Sequence, residues 1–159
     1  MQETSITGRV FQINASPGGL PKLGQLQANV NSSGLANDRQ ADTRVHGGPE
    51  RALCLYSLEQ ILFLQAEGHP IFPGAIGENL TLSGLDWAQI EPGKRLKVGS
   101  NVLIEITRYT TPCNNLEPYF LNADYSRVSE KQNPGWSRVY ARVLQSGEIK
   151  VGDEVSLIA

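Results

Sequence analysis

Soft ligands are scarce in this chain of 159 residues, which has two cysteines and two histidines. Cys54 and Cys113 could form one disulfide, but a single bridge does not make a secreted disulfide scaffold. An iron–sulfur cluster needs about four thiolates. A Cys/His zinc site would have only His46 and His69 to add. Charge of one sign is also missing: 14 basic residues stand against 16 acidic ones, for a net charge of −2. No basic field is present to take up nucleic acid by counterion release. The charges are interspersed, so no polybasic membrane patch forms. No run of about 18 apolar residues occurs, and no segment is expected to span a membrane. Met1 to Ser5 is polar and the first apolar run is too short for a signal peptide, so the expected address is the cytoplasm. The phosphate loop, the Gly-x-Gly-x-x-Gly fingerprint, His-Glu-x-x-His and Gly-x-Ser-x-Gly are all absent. Asp38 and Asp42 are a nominal carboxylate pair, but nothing sets their separation, so a glycosidase reading has no support.

Apolar residues make up 40% and charged residues 19%, as in a folded globular chain. The length suits one domain, residues 1–159. Sixteen glycines and nine prolines punctuate it. That density implies many short segments with tight turns and argues against a helical bundle. Strands are expected over 6–13, 26–30, 52–56, 80–82, 96–98 and 102–107, the last with Val102, Ile104 and Ile106 on one face. A helix is expected after Ser57 as N-cap, with Gln60 completing a capping box and Gly68 ending it. Short helices are expected over 116–121 and 126–131. A closing hairpin is expected from 137–144 and 151–158, turning at Ser146-Gly147-Glu148. Lys97 to Val102 and Lys150 to Val155 echo one another, as two independent tight turns or as two barrel corners. Many short strands with few helices point to a mainly β fold, a closed or nearly closed barrel.

Four places could carry chemistry. Cys113 lies in a polar, turn-forming stretch, Thr110 to Asn115, just before an expected helix. A helix N-terminus favours thiolate, which serves as nucleophile or soft metal ligand. The bland alternative is an idle loop thiol. Cys54, between Leu53 and Leu55, reads as a small buried thiol. His46 precedes Gly47 and Gly48, and glycine lets backbone approach a ligand closely; the alternative is a solvated loop histidine. Glu78-Asn79 after Gly77 is a turn or a ligand contact. Lys22, Arg39, Arg44 and Arg51 are a solvated surface or a site for one phosphate.

Taken in order, these residues resemble a known family. The set is a Gly/Pro loop with Lys22, then Gly34 to Asp42, His46-Gly47-Gly48, Gly77-Glu78-Asn79-Leu80-Thr81, Pro112-Cys113, and Val151-Gly152-Asp153-x-Val155. It is similar to the MOSC domain, named after the C-terminal domain of molybdenum cofactor sulfurase, and extends over about residues 5 to 158. The resemblance implies a β-barrel with a few short helices that binds the molybdenum–pyranopterin cofactor. Cys113 matches the cysteine that ligates molybdenum in cofactor-binding members; a soft thiolate suits such a centre. His46, Gly47, Gly48 and the Asn79 region would line the pterin pocket. Lys22 and Arg39 match positions that would meet its phosphate. The chain departs from the pattern twice. Asn37-Asp38 stands where Gly-Asp is frequent, and asparagine tolerates the left-handed turn. Thr110-Thr111-Pro112-Cys113 replaces Arg-x-Pro-Cys, with the nearest arginine at Arg108, which bears on substrate preference. The aminotransferase-like half of the sulfurase is absent, so pyridoxal phosphate has no lysine-bearing domain to hold it.

The leading expectation is a molybdenum oxidoreductase that reduces small N-hydroxylated substrates. Its electrons would come from a separate reductase, since the chain has no cluster, flavin or nucleotide motif. The alternatives are a sulfur carrier with a persulfide on Cys113, a non-enzymatic cofactor-binding module, and a barrel whose cysteine does nothing. No nucleic acid and no membrane partner is expected, and the chain could be a monomer or a homodimer.

Overall fold

The computed structural model describes residues 6–38 and 48–158. Eleven strands lie in these segments. They are β1 (Thr7–Ala15), β2 (Leu23–Gln25), β3 (Gln27–Asn31), β4 (Gly34–Leu35), β5 (Leu53–Ser57), β6 (Leu80–Ser83), β7 (Arg95–Val98), β8 (Val102–Tyr109), β9 (Val139–Gln145), β10 (Gly147–Lys150) and β11 (Glu154–Ile158). Seven of them run in the order β11-β7-β8-β9-β5-β6-β1, and β1 pairs back onto β11, which closes a barrel. β2 flanks β1, and β10-β3-β4 form a separate small sheet. The mainly β barrel expected from the sequence is the fold observed.

One pairing differs from the others in direction. β5 and β6 are parallel, and parallel neighbours need a crossover rather than a hairpin. The crossover contains helix α1 (Leu58–Ala66). Ser57 caps it, its side chain accepting from the Gln60 N–H at 3.2 Å. The capping box is only half made: Gln60 Nε2 donates to the Gly135 carbonyl at 2.7 Å, and Oε1, the atom that would accept from the Ser57 N–H, has no hydrogen-bond partner among the described residues. Gly68, at φ 102°, ends the helix as expected. The crossover returns through residues 73–79 and so delivers Glu78 and Asn79 to the start of β6. No helix among the described residues is long and apolar enough to cross a membrane.

The core fills the barrel. β7 alternates strictly between exposed and buried residues. Val102, Ile104 and Ile106 of β8 all point inward, at 0–1% exposure. Burying such a side chain contributes about 1.5–3 kcal/mol.

Two sequence expectations are corrected. The closing hairpin does not form, because β9 pairs with β8 and β5 while β11 pairs with β7 and β1. Residues 147–150 between them leave the barrel and pair with β3. The helices expected at 116–121 and 126–131 are 3₁₀ turns at Asn114–Tyr119 and Tyr125–Val128. Pro118 has no N–H to continue a helix, and Asn122 and Ala123 have left-handed φ values of 55° and 56°. The two echoed segments do meet: the Gly99 N–H donates to the Glu154 carbonyl at 2.8 Å.

Candidate functional site

Asp38 joins the loop that follows β1 to the segment that leads into β6. Its Oδ2 accepts from Lys22 Nζ at 2.8 Å and from Asn79 Nδ2 at 2.8 Å. Its Oδ1 accepts from the Ser16 N–H at 3.1 Å. The side chains of Lys22 and Asp38 are only 5% and 4% exposed, so this is a nearly buried ion pair. Asn37 before it has φ 67°, the left-handed turn that asparagine allows.

Lys22 is fixed from behind. Its N–H donates to the Gly74 carbonyl at 2.9 Å. A Cβ on Gly74, at φ +89°, would lie 2.3 Å from the Lys22 carbonyl oxygen. Only glycine permits that approach.

Asn79 is completely buried. Its N–H donates to the Cys54 carbonyl and its carbonyl accepts from the Asn14 N–H, each at 2.7 Å. Its Oδ1 accepts from the Cys54 N–H at 2.9 Å, and Nδ2 also reaches the Asn14 carbonyl at 3.3 Å. Every donor and acceptor of the amide is engaged with the scaffold. Asn79 therefore holds β1, β5 and Asp38 together.

Cys54 is buried, as the sequence suggested, but among charges. The groups acting on its thiol are Arg138, Glu78, Lys22 and Asp38. Burial dominates and pushes the thiol up to about 11. Directly opposite on β9 stands Tyr140. Burial pushes its hydroxyl up to about 12, with Cys54, Arg138, Arg51 and Cys113 acting on it electrostatically. Arg51 lies over the Tyr140 ring, 5.7 Å from its centroid. The strand end that leads into Cys113 meets Arg138 directly, the Thr110 N–H donating to the Arg138 carbonyl at 3.1 Å.

Cys113 is half-buried and precedes the 3₁₀ turn at Asn114–Tyr119. Its Sγ donates to Asn115 Oδ1 at 2.7 Å. Six residues of 3₁₀ turn are less than the helix expected there. Gly48 is exposed at φ 83°, with open space where a Cβ would stand, and opens the turn that carries Arg51. Arg39, His46 and Gly47 lie outside the described residues.

The sequence reading missed two residues and undervalued a third. Arg138 is 6% exposed; Nη1 donates to the Ile76 carbonyl at 2.8 Å, and Nε is buried without a partner. Its segment is pinned by Trp87 Nε1 on the Ser137 carbonyl, the Tyr56 hydroxyl on the Trp136 carbonyl, and the Thr110 N–H on the Arg138 carbonyl. An arginine at the start of a strand carries no local signal of such burial. Tyr140 reads from the sequence as plain strand, and Asp38 as a carboxylate and a turn residue.

Glu78 is fully buried, with Oε2 accepting from the Thr81 hydroxyl at 3.1 Å. Burial pushes its carboxyl up to about 7, against the pull of the Gly74 and Glu78 N–H groups, Thr81 and Arg138. The folded state then binds a proton that the unfolded chain releases at lower pH. Its contribution to stability is complete below the unfolded value and disappears as pH rises through about 7. The loss amounts to about 3 kcal/mol. Denaturant unfolding at a series of pH values should show this falling limb in the wild type and a flatter one in Glu78→Gln.

Among the described residues no group of three or more His, Cys, Asp or Glu is placed to hold a metal ion.

Comparison with known proteins supports the reading of the fold. The family model described as the MOSC domain matches residues 42–156. The YiiM protein of Escherichia coli is 29% identical over 158 residues, covering 93% of this chain and 69% of that protein. A Gibberella moniliformis protein named "Reductase" is 31% identical over 132 residues, covering 80% of this chain but 23% of that protein. The crystal structure of the YuaD protein from Bacillus subtilis superposes with a TM-score of 0.75 at 17% identity, covering 97% of both chains; at that identity the likeness concerns the fold alone.

Proposed function

The chain belongs to the MOSC domain family, and on that premise we propose that it binds the molybdenum–pyranopterin cofactor and reduces small N-hydroxylated compounds. One observation carries this reading. A half-buried thiol, Cys113, stands three residues after Thr110, whose N–H donates at 3.1 Å to the carbonyl of the nearly buried Arg138, and Lys22 is a second nearly buried cation. A soft thiolate suits a sulfur-coordinated metal, and the cations suit the phosphate of the same group. When bound, the cofactor supplies the two-electron chemistry that removes the hydroxyl oxygen from nitrogen. The net reaction takes two electrons and two protons and releases amine and water.

The residues of the chain bind and orient. Cys113 would hold the metal. Lys22, Arg39 and Arg138 would hold the phosphate, and His46, Gly47 and Gly48 would line the pterin. Asn79 keeps Asp38 in place, and Asp38 keeps Lys22 aimed. The likeness to a protein named as a reductase, of which this stretch is less than a quarter, supports a redox role in which this domain is one part of the machinery. The electrons reach it from a separate reductase.

Protein produced in a cofactor-competent host should reduce a hydroxylamine or amidoxime with a reduced viologen as donor and stay idle with NAD(P)H alone. Robust turnover with NAD(P)H and no second protein would sink the need for a donor. A full complement of molybdenum without viologen-driven turnover would leave a binding module. Cyanide-labile sulfur on Cys113 without molybdenum would mark a sulfur carrier.

A further inference from the structure

The floor of the mouth contains a second carboxylate that the proposed chemistry does not use. Glu78 adjoins Asn79 and is 0% exposed. Its Oε1 is buried without a partner, and so is Nε of Arg138. The groups facing Glu78 come from every side. From β1, Asn14 donates to its backbone carbonyl at 3.1 Å and to Thr81 Oγ1 at 3.1 Å. From β6, Thr81 donates to its carboxylate. The return loop brings the Gly74 N–H. From β5 come Cys54 and Tyr56, both held neutral by burial. From the start of β9 comes Arg138, the one group in this set with a permanent charge.

A charge count follows. Lys22 is matched one to one by Asp38 at 2.8 Å, so the pair adds no net charge. What the described floor offers an anion is therefore Arg138, and its strength depends on Glu78. An ionised Glu78 cancels it; a protonated one leaves it free.

We propose that Glu78 is the proton-linked counter-charge of Arg138, so that an anion settling at Arg138 brings one proton onto the Glu78 carboxyl. This rests on the reading of the mouth as an anion-holding site. Burial holds the Glu78 carboxyl up to about 7 before any ligand arrives, and a nearby anion raises it further by like-charge repulsion. Such an exchange falls in the physiological range. The anion is defined by its chemistry, a phosphate-like group with two or more oxygens.

Sulfate is the probe, because it carries fixed charge from about pH 6 to about pH 8. Calorimetry of the purified wild type should show sulfate binding about tenfold tighter at the lower pH than at the higher. Repeating it in buffers of different ionisation enthalpy should count an uptake approaching one proton per sulfate at about pH 8; this readout needs no variant. Glu78→Gln should bind with no pH dependence, at the affinity the wild type shows at about pH 6. Sulfate binding without proton uptake, or a pH response that persists in Glu78→Gln, overturns the linkage and leaves the anion site standing. No sulfate binding at either pH overturns the anion site and the linkage with it.

Discussion

Asp38→Ala is expected to destabilise the fold by about 3–5 kcal/mol, because it removes one partner of a buried ion pair and leaves the other charged. Lys22 would keep its ammonium at 5% exposure without the one carboxylate it pairs with among the described residues. The loss spreads beyond the pair. Asn79 Nδ2 loses one of its two acceptors and the Ser16 N–H loses its acceptor, and each unsatisfied buried donor costs about 1–3 kcal/mol. Denaturant unfolding with an unchanged m-value is the measurement. Replacing both partners by apolar residues, Lys22→Met with Asp38→Leu, should recover much of the loss, since no lone charge then remains. A loss below about 1 kcal/mol for Asp38→Ala would place the pair among solvated surface ion pairs and would remove the reason for treating Lys22 as held in place.

The barrel was legible in the sequence because its strands are short and strongly alternating. Val102, Ile104 and Ile106 recur every second residue and line the interior as that period requires. Helix α1 was legible through its stop and cap signals, Ser57 and Gly68. Strand partners were harder. β9 and β11 look like a hairpin because they are neighbours in sequence with a turn between them. Barrel closure gives each a different partner, and that choice depends on all seven strands at once. The 3₁₀ turns after Cys113 fall short of helices because of one proline and two left-handed residues, and only Pro118 is visible in advance. At the site, residues with unusual local chemistry were found: Lys22 in a Gly/Pro loop, and Cys113 in a polar turn. The reading failed where a residue's role comes from burial. The hydrogen bonds by which Asn79 joins β1, β5 and Asp38 leave no mark in its local sequence. Arg138 was passed over, because nothing near it in sequence says that an arginine will be 6% exposed.

Cys113→Ser should reduce bound molybdenum to background and N-hydroxy reduction by about 100-fold or more, equivalent to about 2.7 kcal/mol in the barrier. The reason is the donor atom. A serine hydroxyl fits the same space but does not ionise at neutral pH, and oxygen is a harder ligand than thiolate. The fold should not change, because the hydrogen bond that the Cys113 side chain makes among the described residues is to its near neighbour Asn115, from a half-buried position; substitutions of that kind stay within about 0.5 kcal/mol. Cys54→Ser is the counterpart. Its thiol is buried and pushed up to about 11, so little thiolate exists there to bind a metal. Its backbone is pinned to Asn79 through both N–H and carbonyl, which a change of side chain leaves intact. That variant should keep its molybdenum and most of its turnover, at the cost of some stability from the buried hydroxyl. Metal analysis of the two proteins beside the wild type separates the cases. Full molybdenum in Cys113→Ser would sink thiolate ligation, and loss in both variants would mean that the site fails through the floor around Cys54 and not through the ligand at its mouth.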